Sequence, residues 1–261
     1  MPRLNTLLLT LATATIALAQ QPGTRYVVNI RYKVDQAKRA EYVDFVKNTT
    51  TKVMKEWLKT NPKLVGWSSL EVQYAGSPML DYNFSSTFIY DGPPPEDSLA
   101  TFQTAIRNAG VPDYQARARA LRTLVGQQMR RNVATASGPG GDYLTVSYYK
   151  ASPGRLADCL DSLRTISQPV HASMAKDGAI AGWGAWELVF PRGQSQPFDF
   201  LISASYKSLA EAVEASTAPF AARFPNVHPG KSYIGFVDLF RASRTLVRTD
   251  LFHRIASGSR Q

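Results

Sequence analysis

The chain has 261 residues, 44% of them hydrophobic, a formal charge of +10 and a single cysteine, Cys159. One cysteine excludes an intrachain disulfide framework, so stability has to come from buried apolar surface, and there is enough of it for two domains of ordinary size. The basic balance admits nucleic acid, anionic surfaces or acidic ligands. However, no aromatic residues alternate with the cluster Arg117, Arg119 and Arg122, as a single-strand platform requires, and that cluster reads as a solvated helix face.

Met-Pro-Arg opens the chain, an apolar run follows from Leu7 to Leu18, and Ala17-Leu18-Ala19 precedes the polar Gln20. This is the pattern of a secretory signal peptide, residues 1–19, cleaved after Ala19. The run is too short, and too diluted by Thr10, Thr13 and Thr15, to span a bilayer, and no cysteine follows it to carry a lipid. The expectation is a secreted or periplasmic protein without stable membrane insertion, a location that also argues against nucleic acid as a partner. Cys159, beside Leu160 in a helical pattern, reads as a small buried hydrophobe.

Val28, Ile30, Tyr32 and Val34 alternate with Asn29, Arg31 and Lys33, which predicts a strand over 25–34. Asp35 stands at a cap position, and Val43, Val46, Thr50, Val53 and Trp57 then form one apolar helix face that Asn61-Pro62 ends. Strands are predicted near 64–74 and 82–90, joined by a turn at Ala75-Gly76-Ser77-Pro78. Helical stretches follow from Glu96 to Leu124, broken near Gly110-Val111-Pro112, and a closing strand spans 127–136. Residues 137–141, Ser-Gly-Pro-Gly-Gly, form a linker with no side chain able to hold a core. The same order then returns. A strand covers 143–150, and Ser152-Pro153 is expected to open a helix carrying Leu156, Leu160, Leu163, Val170 and Met174. Strands lie near 180–190 and 198–206, Ser208-Leu209-Ala210-Glu211 forms a capping box, and 235–249 closes the set.

Residue by residue the two halves repeat. Tyr26 and Tyr32-Lys33 match Tyr143 and Tyr149-Lys150 about 117 positions on, and Gly66-Trp67 matches Gly182-Trp183. Glu71 meets Glu187, Tyr82-Asn83-Phe84 meets Phe198-Asp199-Phe200, and Tyr90 meets Tyr206. Residues 20–136 and 142–261 are therefore two copies of a βαββαβ, ferredoxin-like unit. Right-handed crossovers put the helices of such a unit on one sheet face, so the other face is bare until a second sheet covers it.

This order, the Gly-Trp step into the second strand and the tandem duplication resemble the dimeric alpha-beta barrel superfamily. Its branches include antibiotic-biosynthesis monooxygenase-like, EthD-like, NIPSNAP-like and haem-binding chlorite dismutase-like proteins. The resemblance covers essentially the whole mature chain. It implies an α+β fold in which two antiparallel sheets pair as a barrel within one polypeptide, with ligands between a sheet and its helices or inside the barrel.

The duplicated Gly-Trp-x-x-x-Glu places Trp67 with Glu71, and Trp183 with Glu187, on one strand face about 13 Å apart. Their opposite faces carry Leu70, Val72 and Tyr74, or Trp186, Leu188 and Phe190, and are expected to meet the helices. That would turn the Trp and Glu side chains towards the barrel interior as ligand contacts; the competing reading is a packing knob and a rim residue. Asn29 and Arg31 in one copy, and Thr145, Ser147 and Tyr149 in the other, form polar faces that are out of step, so any two pockets are chemically unequal. Asp199, between two phenylalanines, has a raised pKa if buried and is otherwise an exposed strand residue. His171 can be a general base, a haem ligand or a helix-flank residue, and the first copy has Met54 in its place. His228 sits in a turn and His253 near the C-terminal tail. The three histidines lack metal-ligand spacing, so no metal is expected. Arg244 and Arg248, four apart, are expected to share a strand face with Leu246 as anion contacts. No P-loop, dinucleotide fingerprint, nucleophile elbow or zinc-cysteine pair is present, which argues against nucleotide-driven chemistry. The expectation is a barrel that binds a small aromatic or anionic molecule without a cofactor. The alternatives are a cofactor-free monooxygenase-like or haem-dependent enzyme using His171, Trp183 and Asp199, and a non-catalytic scaffold that self-associates.

Overall fold

A computed structural model describes residues 24–77, 81–138, 140–193 and 195–260; the expected signal peptide lies outside them. In the first repeat the two-residue alternation becomes β1 (Arg25–Lys33), β2 (Leu64–Tyr74), β3 (Phe84–Asp91) and β4 (Thr123–Ser137). The helices α1 (Arg39–Asp44), α2 (Thr51–Thr60), α3 (Ser98–Asn108) and α4 (Tyr114–Leu121) lie between them. The second repeat contributes β5 (Tyr143–Ala151), β6 (Gly182–Phe190), β7 (Phe200–Tyr206) and β8 (Arg244–Ser259). Its helices are α5 (Leu156–Ser162), α6 (Gln168–Lys176), α7 (Leu209–Val213), α8 (Ala218–Val227) and α9 (Tyr233–Ser243). A π-helical turn joins α1 to α2 at Phe45–Thr50, and another joins α5 to α6 at Leu163–Ser167, so even this irregularity is duplicated.

The strands close in the order β1-β3-β2-β8-β5-β7-β6-β4. Each repeat supplies four adjacent strands, and the antiparallel pairs β2–β8 and β4–β6 join the two sheets edge to edge. Closure removes both free edges of each sheet and turns the two bare faces towards one another. Three apolar clusters result. One lies under the first sheet around Tyr42, Phe45, Val53, Trp57 and Phe84, and a second under the other sheet around Leu160, Leu163, Val170, Phe200 and Phe224. The third fills part of the barrel interior with Leu70, Tyr82, Val146, Tyr148, Leu188, Phe198, Leu201 and Phe252.

Which face of β2 and β6 looks inward is the reverse of the expectation. Trp67 packs in the cluster beneath the first sheet and Trp183 in the one beneath the second, whereas Leu70 and Leu188 point into the barrel. Both sheet faces are buried here, so apolarity does not tell inside from outside. The interior mixes aliphatic side chains with Tyr82, Tyr148, Phe198 and Phe252, while Trp67 and Trp183 fill the space against the helices. Residues 235–249 also differ from expectation. Ile234, Val237 and the phenylalanines Phe236 and Phe240 recur at helical spacing, Ser232 accepts a hydrogen bond from Gly235 N (3.1 Å), and α9 occupies Tyr233–Ser243 before β8 begins. β8 runs on to Ser259, so His253 is a strand residue stacked on Tyr143 and not part of a tail. Ser152-Pro153 forms a turn closed by Arg155 N on the Ser152 carbonyl, and the helix starts only at Leu156. Asp35 stands at its expected position without a side-chain capping bond.

Glycines make the linker possible by lacking side chains. A Cβ on Gly138 would overlap the Ala181 carbonyl, and one on Gly141 the Tyr206 carbonyl, both of them backbone atoms that cannot swing aside. Gly141→Ala and Gly138→Ala should each lower the melting temperature of the mature chain by roughly 4–8 °C, from a cost of about 2 kcal/mol. Ser137→Ala, next to them but exposed, should leave it within about 1 °C.

Candidate functional site

Beneath the second sheet, α6, α8 and α9 stand off from β5, β6 and β7 and leave a cavity of about 370 Å³. That size lies within the range of small-molecule sites. Aromatic rings form much of its wall, with aliphatic and a few polar side chains between them. The His171 imidazole stacks on the Trp183 indole with ring centroids 4.4 Å apart at 12°, and Phe220 approaches the imidazole at 5.0 Å. Phe236 stacks on Phe220 at 5.9 Å, Tyr149 and Tyr206 belong to the sheet side, and Arg241 stands exposed at the rim.

His171 is oriented by its own helix. Its Nδ1 lies 2.8 Å from the Ser167 carbonyl, an oxygen that can only accept, so Nδ1 carries the proton and Nε2 the lone pair. Burial pulls the imidazole pKa down to about 4, against the opposing effect of that bond, and the ring is neutral at pH 7. Nε2 has no hydrogen-bond partner among the described residues, and neither does the buried Trp183 Nε1. Two ring nitrogens of this stack, the His171 acceptor and the buried Trp183 donor, thus lack partners among the described residues. A neutral imidazole so placed can accept a proton from a bound molecule or offer its lone pair to a metal.

Behind Tyr149 lies a buried cation. The Arg244 guanidinium packs against Phe240 and sits 4.8 Å from the Tyr149 ring centre and 5.4 Å from that of Phe200. None of its three nitrogens has a hydrogen-bond partner among the described residues, and burial pulls its pKa down to about 9, so it is charged at neutral pH and held by ring faces alone. The first repeat has the counterpart. Arg122 lies 3.8 Å from the Tyr32 ring centre and donates to Tyr42 Oη at 3.0 Å. Arg122 therefore does not belong to a solvated helix face as expected, and the sequence carries the signal for the pairing: Arg-Thr-Leu-Val occurs at 122–125 and again at 244–247. The first-repeat cavity, about 450 Å³ with Tyr32, Phe102, Tyr114, Arg119 and Arg122 among its walls, lacks an imidazole, because Met54 is buried in the core where the second repeat has His171.

The other expected site residues fall in three places. Glu71 is bonded to Arg39 of α1, with Arg39 Nη2 2.8 Å from Oε2, and Glu187 is bonded to Arg131 of β4. Both carboxylates are thus neutralised on the outer side of the sheet and do not enter the barrel. Asp199 is a latch. It accepts from Ala151 N and from Lys150 Nζ, both at 2.9 Å, as Asn83 clasps both backbone atoms of Val34 in the first repeat. Its side chain is about one-quarter exposed, and it does not line the cavity that holds His171. Asn29 and Arg31 do point into the barrel. So does Arg248, which the structure separates from Arg244. A bulge at Val247, where register shifts between Tyr148 and Tyr149, adds one residue and sends Arg244 to the helices and Arg248 inward. The first repeat carries the same bulge at Val125. Among the described residues no cluster of histidine, cysteine and acidic side chains suits a metal ion.

No protein-family model and no curated protein matches the chain. Solved structures do. A putative monooxygenase from Lactobacillus acidophilus NCFM is similar with a TM-score of 0.54 at 8% identity, over 91% of this chain and 96% of that one. A putative monooxygenase from Fusobacterium nucleatum subsp. nucleatum ATCC 25586 gives 0.53 at 10%, over 91% and 95%. A heme-binding protein from Thermus thermophilus gives 0.47 at 7%, over 88% and 91%. Likeness at such identity shows the fold, which is the dimeric alpha-beta barrel, closed here within one chain.

The low pKa of His171 has a consequence for stability. The unfolded chain takes up this proton near pH 6.5 and the folded chain only near 4, so the contribution is complete above pH 6.5 and is lost as pH falls towards 4. Between pH 7.5 and 4.5 the unfolding free energy should drop by about 2.5 kcal/mol more in the native protein than in His171→Phe. Equal slopes in the two proteins, measured by denaturant titration, would contradict the neutral buried imidazole.

Proposed function

We propose that the protein acts after export as a binder of a planar aromatic molecule bearing oxygen substituents, held between the second sheet and its helices. One observation carries this reading. Trp183 Nε1 and His171 Nε2 are an unpaired donor and an unpaired acceptor on stacked rings of one aromatic cavity. Buried polar groups are ordinarily paired, and the missing partners match a hydroxyl that donates to the imidazole and an oxygen that accepts from the indole. The ligand's rings would lie against Phe220 and Phe236, and an acidic substituent would be favoured by Arg241 at the rim and by the Arg244 charge behind Tyr149. Export is supported by the leader-like residues 1–19 with Ala17-Leu18-Ala19 at their end.

His171 also favours a second occupant of the same cavity. A neutral imidazole whose Nδ1–H is held by a backbone carbonyl is donor chemistry that suits haem iron. His171 would hold the iron through Nε2, and the exposed Arg241 of the cavity lining would offer positive charge to the acidic groups. Haem, when bound, supplies redox chemistry that the side chains here lack.

Calorimetric titration of the mature protein with 1-hydroxy-2-naphthoate should show saturable binding with a Kd of roughly 10–100 µM, weakened about tenfold by Trp183→Leu and by His171→Phe. Absence of heat, or equal affinity in all three proteins, contradicts the binding site. Haemin titration separates the second occupant: a Soret band that forms in the native protein and not in His171→Phe supports haem, and the same spectrum in both removes it.

A further inference from the structure

The inward-facing side chains at one end of the barrel are charged, which the apolar filling of a small closed barrel does not explain. Every neighbouring strand pair is antiparallel around the ring, so β1, β2, β5 and β6 run one way and the other four run back. The C-terminal ends of β1 and β5 and the N-terminal ends of β4 and β8 therefore share one end of the barrel. There the two repeats exchange roles. Arg31 on β1 pairs across the strands with Gly126, and Tyr148 on β5 with Arg248, so each half contributes one arginine to the same layer from a different strand. Gly126 leaves room for the first: a Cβ there would lie only 3.4 Å from Arg31 Nη2.

A third guanidinium rises from the layer below. Arg130 is buried, with Nη2 donating to Gln128 Oε1 at 2.7 Å and Asn29 Oδ1 at 3.2 Å, while its Nε has no partner among the described residues. Arg31 Nε is likewise buried and unpaired. The Arg31 guanidinium lies 5.2 Å from the Tyr82 ring centre and Arg248 4.3 Å from that of Tyr148, and the two phenol oxygens are 3.4 Å apart. One carboxylate, the fully buried Asp250, bonds to any of the three arginines among the described residues: Arg248 Nε donates to it at 3.1 Å. Its other oxygen accepts from Gly76 N at 2.8 Å. Burial, with smaller contributions from the Arg31 and Arg248 charges and against the effect of the two phenols, draws the Arg130 pKa below its ordinary value.

Three guanidiniums against one carboxylate leave an excess of two positive charges. Arginine does not shed its proton in proteins, and an uncompensated buried ion costs several kcal/mol, so the missing countercharge has to come from outside the chain. We infer that this end of the barrel is a binding site for a small tetrahedral dianion of the phosphate or sulfate class, held by Arg31, Arg130 and Tyr82 of the first repeat and by Arg248 and Tyr148 of the second. The charge matches the excess. Guanidinium forks and phenol hydroxyls converging from both halves suit four oxygens in space better than the two of a planar carboxylate. The anion is a clasp between repeats, separate from the aromatic cavity.

The test is thermal unfolding of the mature chain with added sodium phosphate, sodium sulfate or sodium acetate, at ionic strength held constant with sodium chloride. Phosphate or sulfate should raise the midpoint saturably by about 5 °C, acetate by clearly less. Arg130→Met should lose that gain while melting in chloride no lower than the native protein, because an apolar side chain replaces an unpaired charge. Arg31→Met, at a half-buried position, should also lose most of it and serves if the first variant does not fold. Equal gains in native and variant proteins, no saturable gain with either dianion, or an equal gain with acetate would each overturn the inference.

Discussion

Two bare sheet faces that cannot stay in water set the rest of the structure. A βαββαβ unit covers one face of its sheet with helices and leaves the other face and two edges open. Joining β2 to β8 and β4 to β6 closes both edges and both faces in a single step. Trp67 and Trp183 then pack on the helix side of their sheets, and Leu70 and Leu188 on the barrel side. In the second repeat Trp183 meets His171 in the cavity wall, where in the first repeat Met54 is packed into the core.

Duplication followed by divergence accounts for the inequality of the halves. The Arg-Thr-Leu-Val stretch that opens each closing strand is kept, and with it the bulge and the stacking of an arginine on the strand-one tyrosine. What changed lies on either side of that frame. Beneath the second sheet a histidine lines the cavity at the position where the first repeat packs Met54 into its core, and a cluster of phenylalanines stands beside it. Inside the barrel the arginine stands on the first strand of one repeat, Arg31 of β1, and on the closing strand of the other, Arg248 of β8.

Much of this was legible in the residues. The duplication, the split crossover order and the pairing of two antiparallel sheets follow from period and spacing, and the closed barrel bears them out. Two things were not legible, for physical reasons. Sheet facing was misread because a barrel buries both faces, which removes the contrast between apolar and polar sides on which facing arguments rest. The bulge at Val247 has no compositional signature, and one inserted residue reverses every later side chain, so Arg244 and Arg248 were grouped together although they end on opposite faces. Glu71, Glu187 and Asp199 are carboxylates at suggestive positions, but the arginine, lysine and backbone groups that occupy them come from other elements and are visible only in three dimensions.

The claim on which the functional reading turns is that the open donor and acceptor of the His171–Trp183 stack belong to a ligand. The chain has four tryptophans, each with its own indole N–H resonance in a proton–nitrogen correlation spectrum, assignable by single Trp→Phe replacement. On addition of 1-hydroxy-2-naphthoate the Trp183 resonance should move furthest, while that of Trp67, its counterpart in the first repeat, stays in place. A largest shift at Trp67, or no shift at Trp183 at saturating ligand, would contradict the account.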